Sequence, residues 1–365
     1  MSKQHIDEIK KLRYAIIGCG RVSKKHLEAL YSNKPYFLPV ACVDINKNLA
    51  KKTAKELSDE FTGLDIKSYT SYKQMLSEND IDVITVSTES GYHADITINS
   101  LIAGANVICE KPMALSISDC NKVIETSKKN NKKVTVCLQN RFNIPIQKLK
   151  KATEKKRFGK IFHGQISIRW NRNINYYTQA EWRGTWKLDG GALMNQCSHG
   201  IDLLQWIMGG DVKSVYGIIR KYNSPREAED FGAAIIEFEN GKIGIIEGAT
   251  DVYPKNLEEK ISIFGEKGTV VIGGLAVNNI ETWRFKNEDI VEGNGNPPNV
   301  YGFGHIHLYY DFYNAIINNK KPYISAEDGK KSVEIILAIY KSMLTGKKIE
   351  LPLEFDTKEM KGIFS

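Results

Sequence analysis

The stretch Arg13–Leu30, RYAIIGCGRVSKKHLEAL, constrains the fold more than any other part of the chain. A short apolar run, Tyr14–Ile17, stops at Gly18-Cys19-Gly20, and helix-period residues Val22, Leu27 and Leu30 follow. That order predicts strand, glycine turn, helix. Gly18 permits the tight turn and Gly20 lets backbone approach a pyrophosphate. Arg21 and Val22 open a helix whose free N–H groups and dipole favour an anion. Ser23 stands where the third glycine of G-x-G-x-x-G would be. Serine is small enough to pack on the strand, so the pattern still predicts a dinucleotide site.

A second apolar run, Leu38–Val43, ends in Asp44, 24 residues after Gly20. A carboxylate about 20 residues on accepts hydrogen bonds from the adenine ribose hydroxyls. It would also repel a 2′-phosphate, and no arginine follows it directly, so NAD is expected over NADP. The alternative for Asp44 is a strand-end residue capping the helix expected over Asn46–Leu57, and the two roles are compatible.

From Lys67 to Cys137, short apolar runs alternate with helix-period segments. Strands are expected at Lys67–Tyr69, Val83–Val86, Val107–Cys109 and Val134–Cys137, with helices at Tyr72–Leu76, Tyr92–Ile102 and Asp119–Ser127. Strands apolar on both faces imply a parallel sheet covered on both sides. Beyond about residue 140 the pattern changes. Runs at Ile161–Trp170, Val215–Tyr222, Ala233–Phe238, Ile243–Gly248, Ile261–Phe264 and Val270–Ile272 are joined in part by tight turns such as Glu239-Asn240-Gly241. They predict a mainly antiparallel sheet, with helices at Ala192–Met208, Tyr309–Ile317 and Ala326–Met343. Glu288–Asn299 is expected to be a loop. The fold class expected is an α/β Rossmann domain, residues 1–140, followed by an α+β domain with an open sheet, residues 141–365. The final helix, 326–343, is expected to return to the first domain.

The net charge of +8 suits a phosphorylated acidic substrate or nucleic acid. The lysine clusters at 128–133 and 148–156 lack interleaved aromatics and predict solvated surface rather than a nucleic-acid footprint. No apolar run is long enough to span a membrane, and the polar start of the chain gives no sign of export. Six scattered cysteines, several inside apolar runs, predict a reducing, cytoplasmic setting without disulfides or structural zinc. The histidines other than His199 (5, 26, 93, 163, 305 and 307) show no ligand-pair spacing, so no metal is expected.

Two stretches carry candidate chemistry. Val107–Cys109 runs into Glu110-Lys111-Pro112, and Pro112 disfavours a helical Lys111. Ligands of a doubly wound sheet lie beyond the carboxyl ends of its strands, which puts Lys111 where a nicotinamide would lie. Ser87, His93, Glu110, Lys111 and Gln139 complete the expected cofactor set. The second stretch is Asp189–Asp202. On a helix beginning near Ala192, Asn195 and His199 share a face, with Asp202 three residues further. His199 has the intrinsic pKa of a general base, and Lys111 can steady a developing alkoxide. A core histidine and a solvent lysine are the alternatives.

Taken together, Gly18-x-Gly20 with His26, Glu110-Lys111-Pro112 and the Gly190–Asp202 segment resemble the Gfo/Idh/MocA oxidoreductase family over essentially the whole chain. The resemblance implies hydride transfer at a sugar carbon, with Lys111 and His199 at the reacting hydroxyl, and pairing of second-domain sheets into dimers or tetramers. Many members carry Asp where this chain has Asn195. An asparagine cannot ionise, so it would position a hydroxyl or amide, and either Lys111 or His199 remains open as the base.

Further stretches, Gln139–Asn143, Arg157–Lys160, Trp182–Trp186, Gly190–Gln196 and Tyr301–His305, resemble a subgroup that oxidises the C3 hydroxyl of a UDP-N-acetyl-hexosaminuronic acid for surface polysaccharide synthesis. Some of those enzymes reoxidise bound NAD with 2-oxoglutarate. Such a substrate carries a diphosphate and a uronate, and segment 139–186 offers Arg141, Arg169, Arg172 and Arg183. Forked guanidinium groups suit both anions. Trp170, Tyr176, Tyr177 and Trp182 offer stacking surfaces, unless they belong to the core. The substrate set expected is Arg141, Tyr177, Arg183, Asn195 and His199. The competing readings are a dehydrogenase of a free sugar or polyol, and an NAD-binding regulator without catalysis; the presence of both Lys111 and His199 weighs against the latter.

Overall fold

Six strands form a parallel sheet: β1 (Leu12–Ile17), β2 (Phe37–Val43), β3 (Lys67–Tyr69), β4 (Val83–Val86), β5 (Asn106–Cys109) and β6 (Val134–Val136); the edge strand β3 is exposed at Lys67 and Ser68. Their order is β3-β2-β1-β4-β5-β6, and every residue of β4 and β5 is buried. Helices α1 (Ser23–Ser32), α2 (Lys47–Glu60), α3 (Tyr72–Glu78), α4 (His93–Ile102) and α5 (Ile117–Lys129) connect the strands. The computed structural model describes residues 9–286, 288–289 and 304–364. The strand order reverses between β1 and β4, which opens a crevice beyond their carboxyl ends. There the Ser87 N–H donates to Ile17 O at 2.8 Å, and the Ser87 hydroxyl donates to Gly18 O at 2.8 Å.

Helix α6 (Ile144–Glu154) leads into a nine-stranded sheet. Its strands are β7 (Ile161–Arg169), β8 (Val212–Arg220), β9 (Phe231–Phe238), β10 (Ile243–Ala249), β11 (Glu258–Gly265), β12 (Gly268–Gly273), β13 (Asn279–Phe285), β14 (Glu288–Asp289) and β15 (Ile349–Glu350). They are ordered β14-β13-β12-β11-β7-β10-β9-β8-β15. All pairs are antiparallel except β7 with β10, so the sheet is mixed. Helices α7 (Ile174–Thr178), α8 (Gly191–Asn195) and α9 (Ser198–Met208) follow β7, and α9 packs on β7, β10 and β11. On the other face Tyr216, Ile235 and Ile245 stand in one cross-strand row and are exposed.

The chain then returns to the first sheet. Helix α10 (Gly304–Ile317) lies along α1, and its Tyr309 hydroxyl sits 3.0 Å from Tyr14 Oη, 2.8 Å from Thr85 Oγ1 and 3.0 Å from His26 Nδ1. Helix α11 (Ala326–Thr345) touches β8 and α9 on one side and α5 and β6 on the other. The long helix expected over 192–208 is two helices. The N–H groups of Gln196 and Cys197 both donate to Ala192 O, at 2.8 and 3.1 Å, and helical bonding resumes with Ile201 N–H on Cys197 O. Most of the expected loop at 288–299 and residues 301–303 of the Tyr301–His305 motif lie outside the described residues.

Candidate active site

The glycine turn has the shape a dinucleotide requires. Gly18 has φ +95°, and a Cβ there would meet Ser87 O at 2.5 Å, so only glycine lets β1 and β4 close at this point. Nothing lies within 4 Å of a Cβ built on Gly20, which leaves open space over the backbone ahead of α1. The Asp44 carboxylate accepts from Cys19 N–H at 2.8 Å and from Asn46 N–H at 2.8 Å. It is therefore fixed beside the turn, while Asn46, not Asp44, caps α2. Arg21 is exposed at the same mouth. The cradle fits NAD: a gap for the pyrophosphate, a helix N-terminus behind it and a fixed carboxylate for the ribose.

Glu110 and His93 are braces around Lys111. The Glu110 carboxylate is buried, receives Lys111 N–H at 3.1 Å and lies 3.0 Å from His26 Nε2 and 3.7 Å from His305 Nε2. Burial alone would raise its pKa, but the two imidazoles outweigh that and hold it well below the carboxylate range. Sequence spacing did not pair these histidines, because α10 delivers His305 from the far end of the chain. His93 sits with Nδ1 2.8 Å from Pro112 O and Nε2 3.0 Å from Thr88 O, and burial lowers its pKa. The Lys111–Pro112 peptide is cis.

The break between α8 and α9 builds the centre of the site. It frees the Asn195 backbone carbonyl, and the Lys111 ammonium donates to it. Asn195 and His199 therefore do not share a continuous helix face. The Asn195 side-chain N–H donates to the buried Asp189 carboxylate, and its Oδ1 accepts from Gln196 Nε2 at 2.5 Å. His199 is buried on the first turn of α9, with Nε2 3.4 Å from Gln139 Nε2. Burial and the Lys111 charge push its pKa well below the ordinary value, so the ring is neutral.

Of the expected anion-binding residues, Arg183 reaches this region and Arg141 does not. Arg141 is fully buried and bidentate to Asp202, at 2.8 and 2.6 Å, with Asp328 at 3.2 Å. Its guanidinium holds α11 and α9 to the turn at Gln139–Phe142, and it is not an anion ligand. Arg169 is taken by Glu247 and Glu258 on the sheet. Arg183 and Arg172 instead lie over the buried Tyr176 ring, at 4.3 and 5.3 Å from its centroid. Tyr177 points to Thr250 and Ser224, so Tyr176 is the tyrosine of this cluster.

Asp189, Gln196 and Arg172 are further members of the site. Arg172 Nε donates to Gln196 Oε1 at 2.9 Å, and Gln196 Nε2 also donates to Tyr176 Oη at 2.9 Å. The only sequence signal for Asp189 was its place before Gly190-Gly191, two glycines of positive φ. At Gly191 a Cβ would collide with the Glu229 carboxylate. Glu229 Oε1 accepts from Leu193 N–H and Tyr340 O–H, both at 2.8 Å, and pins the start of α8.

Comparison with known proteins agrees with this fold. Residues 12–138 match the oxidoreductase family described as an NAD-binding Rossmann fold, and residues 146–271 match the GFO/IDH/MocA C-terminal domain. The chain is similar to the WlbA dehydrogenase of Bordetella pertussis, solved in complex with NADH and UDP-GlcNAcA. Identity is 35% and the TM-score 0.84, covering 94% of this chain and 100% of that one. The WlbA enzyme of Chromobacterium violaceum, solved with the same two ligands, gives 34% identity and a TM-score of 0.85 over 96% and 98%. A myo-inositol 2-dehydrogenase of Thermotoga maritima is 24% identical over 93% of this chain and 98% of that protein.

Proposed function

The chain belongs to the Gfo/Idh/MocA family of NAD-dependent oxidoreductases, and on that premise we propose that it oxidises the C3 hydroxyl of a UDP-N-acetyl-hexosaminuronic acid to the 3-keto sugar. The observation that carries this reading is the pair Arg172 and Arg183 over Tyr176, reaching through Gln196 to Asn195 beside Lys111. Two guanidinium groups next to the reacting centre match an anionic substrate, and the likeness to the WlbA enzymes supports it. Surface polysaccharide precursor synthesis is the setting such a product serves.

NAD, when bound, supplies the hydride acceptor. The chain's own work is to hold the sugar and move a proton. His199 is neutral, and its Nε2 is free to accept the hydroxyl proton once substrate displaces the weak contact to Gln139. The Lys111 charge steadies the alkoxide that forms and opposes a second positive charge on His199, which favours prompt release of the proton. Asn195, unable to ionise, orients hydroxyls by hydrogen bonding. The exposed row Tyr216, Ile235 and Ile245 is the face through which second-domain sheets would pair in a dimer or tetramer.

The test is a product assay by mass spectrometry. Purified protein is mixed with UDP-GlcNAcA, with and without added NAD and 2-oxoglutarate. Loss of two hydrogens from the nucleotide sugar is the expected result. Dependence on 2-oxoglutarate would identify it as the reoxidant. An unchanged sugar together with turnover of a free inositol would replace this reading with that of a polyol dehydrogenase, the activity named for the Thermotoga relative.

A further inference from the structure

A carboxylate is missing at position 195, and the fold brings one from six residues earlier. Asp189 is buried, with Oδ2 receiving Gly184 N–H at 2.6 Å and Oδ1 receiving the Asn195 amide. From there the hydrogen bonds run in a single direction. Arg172 donates to Gln196, Gln196 donates to Asn195, and Asn195 donates to Asp189. A cation stands at one end and an anion at the other, and Lys111 joins at the Asn195 carbonyl. Arg172, a pure donor, sets the Gln196 amide from one end, and the run closes only if the group that meets the outward Asn195 N–H is a pure acceptor.

Resting on the oxidoreductase reading above, we infer that Asp189 is a positioning residue of the reaction: as the ionised end of this run it fixes which face Asn195 presents to the sugar. Each Asp189 oxygen already faces an N–H, of Gly184 or of Asn195, so protonation leaves one good acceptor for two donors and loosens the hold on the amide. The charged and titratable groups facing it are Lys111 from the turn after β5, Arg183, Tyr176 and Tyr177 from the segment before α8, and Glu229 from the approach to β9. Burial raises its pKa to about 6, even though the Gly184 and Asn195 donors and the Arg183 and Lys111 charges pull it down. The site therefore loses its anchor at mildly acidic pH.

Three variants and one titration test this. Asp189→Asn offers one acceptor oxygen where the N–H groups of Gly184 and Asn195 need one each. Asn195→Asp with Asp189 kept places two carboxylates together. The double variant D189N/N195D restores the hydrogen bond with its polarity reversed. The expected kcat of Asp189→Asn is lower by roughly ten- to a hundred-fold, the worth of one charge-assisted hydrogen bond, with NADH affinity kept. The wild-type acid limb near pH 6 disappears in it, and the double variant recovers most of kcat. A wild-type kcat and acid limb in Asp189→Asn overturn the inference. So does a double variant no faster than Asp189→Asn while both bind NADH normally. Carboxyl carbon NMR of Asp189 in the NADH-loaded wild-type protein needs no variant to fold. An Asn195 side-chain amide signal that shifts with the Asp189 midpoint supports the role, and an Asn195 amide indifferent to the Asp189 titration ends it. If the wild-type protein oxidises no UDP-sugar acid, the functional reading alone fails, and this titration still decides Asp189.

Discussion

Gln139 holds its side-chain nitrogen 3.4 Å from Nε2 of His199, and the ring's other nitrogen has no partner among the described residues. The amide donates, so Nε2 is the lone-pair nitrogen of a neutral imidazole. Gln139→Glu would place an anion at that nitrogen and raise the His199 pKa, since an opposite charge favours the protonated ring. A base must be unprotonated to act, so kcat/KM of this variant should lose activity from a higher pH downward than the wild-type enzyme does. Rate profiles between about pH 5 and 9, paired with imidazole nitrogen NMR, read both effects. An unshifted profile would show that His199 is not the base.

Lys111 acts on the same ring from the other side. Lys111→Met removes the charge that helps to hold the His199 pKa down, so that pKa should rise. Turnover should drop by about 10²–10⁴-fold, the range general acid–base and alkoxide-stabilising groups supply, while NADH fluorescence titration gives an unchanged affinity. Turnover within a factor of a few of wild type would remove Lys111 from the reaction.

Local features were legible in the sequence, and long-range ones were not. The Gly18–Gly20 turn, Asp44 and Glu110-Lys111-Pro112 are set by neighbours in the chain, and the structure places them around one crevice. Asp189 escaped because a buried carboxylate gains its role from Gly184, Asn195 and Lys111, which only the fold assembles. Arg141 is the converse case: an arginine after a strand end suits an anionic ligand until Asp202 and Asp328 arrive to bind it. Strand β13 was missed because a register shift between Val271 and Ile272 breaks the alternation opposite it. The break at Gln196 and Cys197 left no mark in helical spacing. At the break Leu193 and Cys197 pack against Gly248, where a Cβ would meet both, a contact that only the fold brings about.

Arg141→Met tests the structural assignment of that residue. It leaves Asp202 buried without its guanidinium, and breaking a buried pair this way costs about 3–5 kcal/mol. Urea unfolding should show that loss. The folded fraction should keep the wild-type KM for nucleotide sugar. A raised KM with unchanged stability would return Arg141 to the substrate site.

Glu229 should give the protein a distinctive pH dependence of stability. Burial raises its pKa to about 8, although Leu193 N–H and Tyr340 O–H pull it down. The folded state therefore keeps a proton that the unfolded chain releases near pH 4.5, its model value. The contribution is full below the unfolded pKa and is lost as pH rises through about 8. Glu229→Gln cannot ionise and loses this slope. Its melting temperature relative to wild type should climb between about pH 5 and 9, and parallel curves would refute the raised pKa.

The two turn glycines should fail in different ways, because one is packed and the other faces open space. At Gly18, φ +95° and the Ser87 carbonyl 2.5 Å from a built Cβ leave no room for a side chain. Gly18→Ala must push β1 from β4 or flip the turn, so it should lower the melting temperature whether or not NADH is present. Gly20 has nothing within 4 Å of a Cβ, so Gly20→Val should fold with a near-wild-type melting temperature. Its added methyl groups would occupy the gap the pyrophosphate needs for backbone contact. NADH affinity should then drop by at least tenfold, roughly the 1.4 kcal/mol that one good contact represents. Calorimetric NADH titration beside thermal melts separates the two. A Gly20→Val protein that binds NADH like wild type would mean that the dinucleotide does not cross the turn at this glycine.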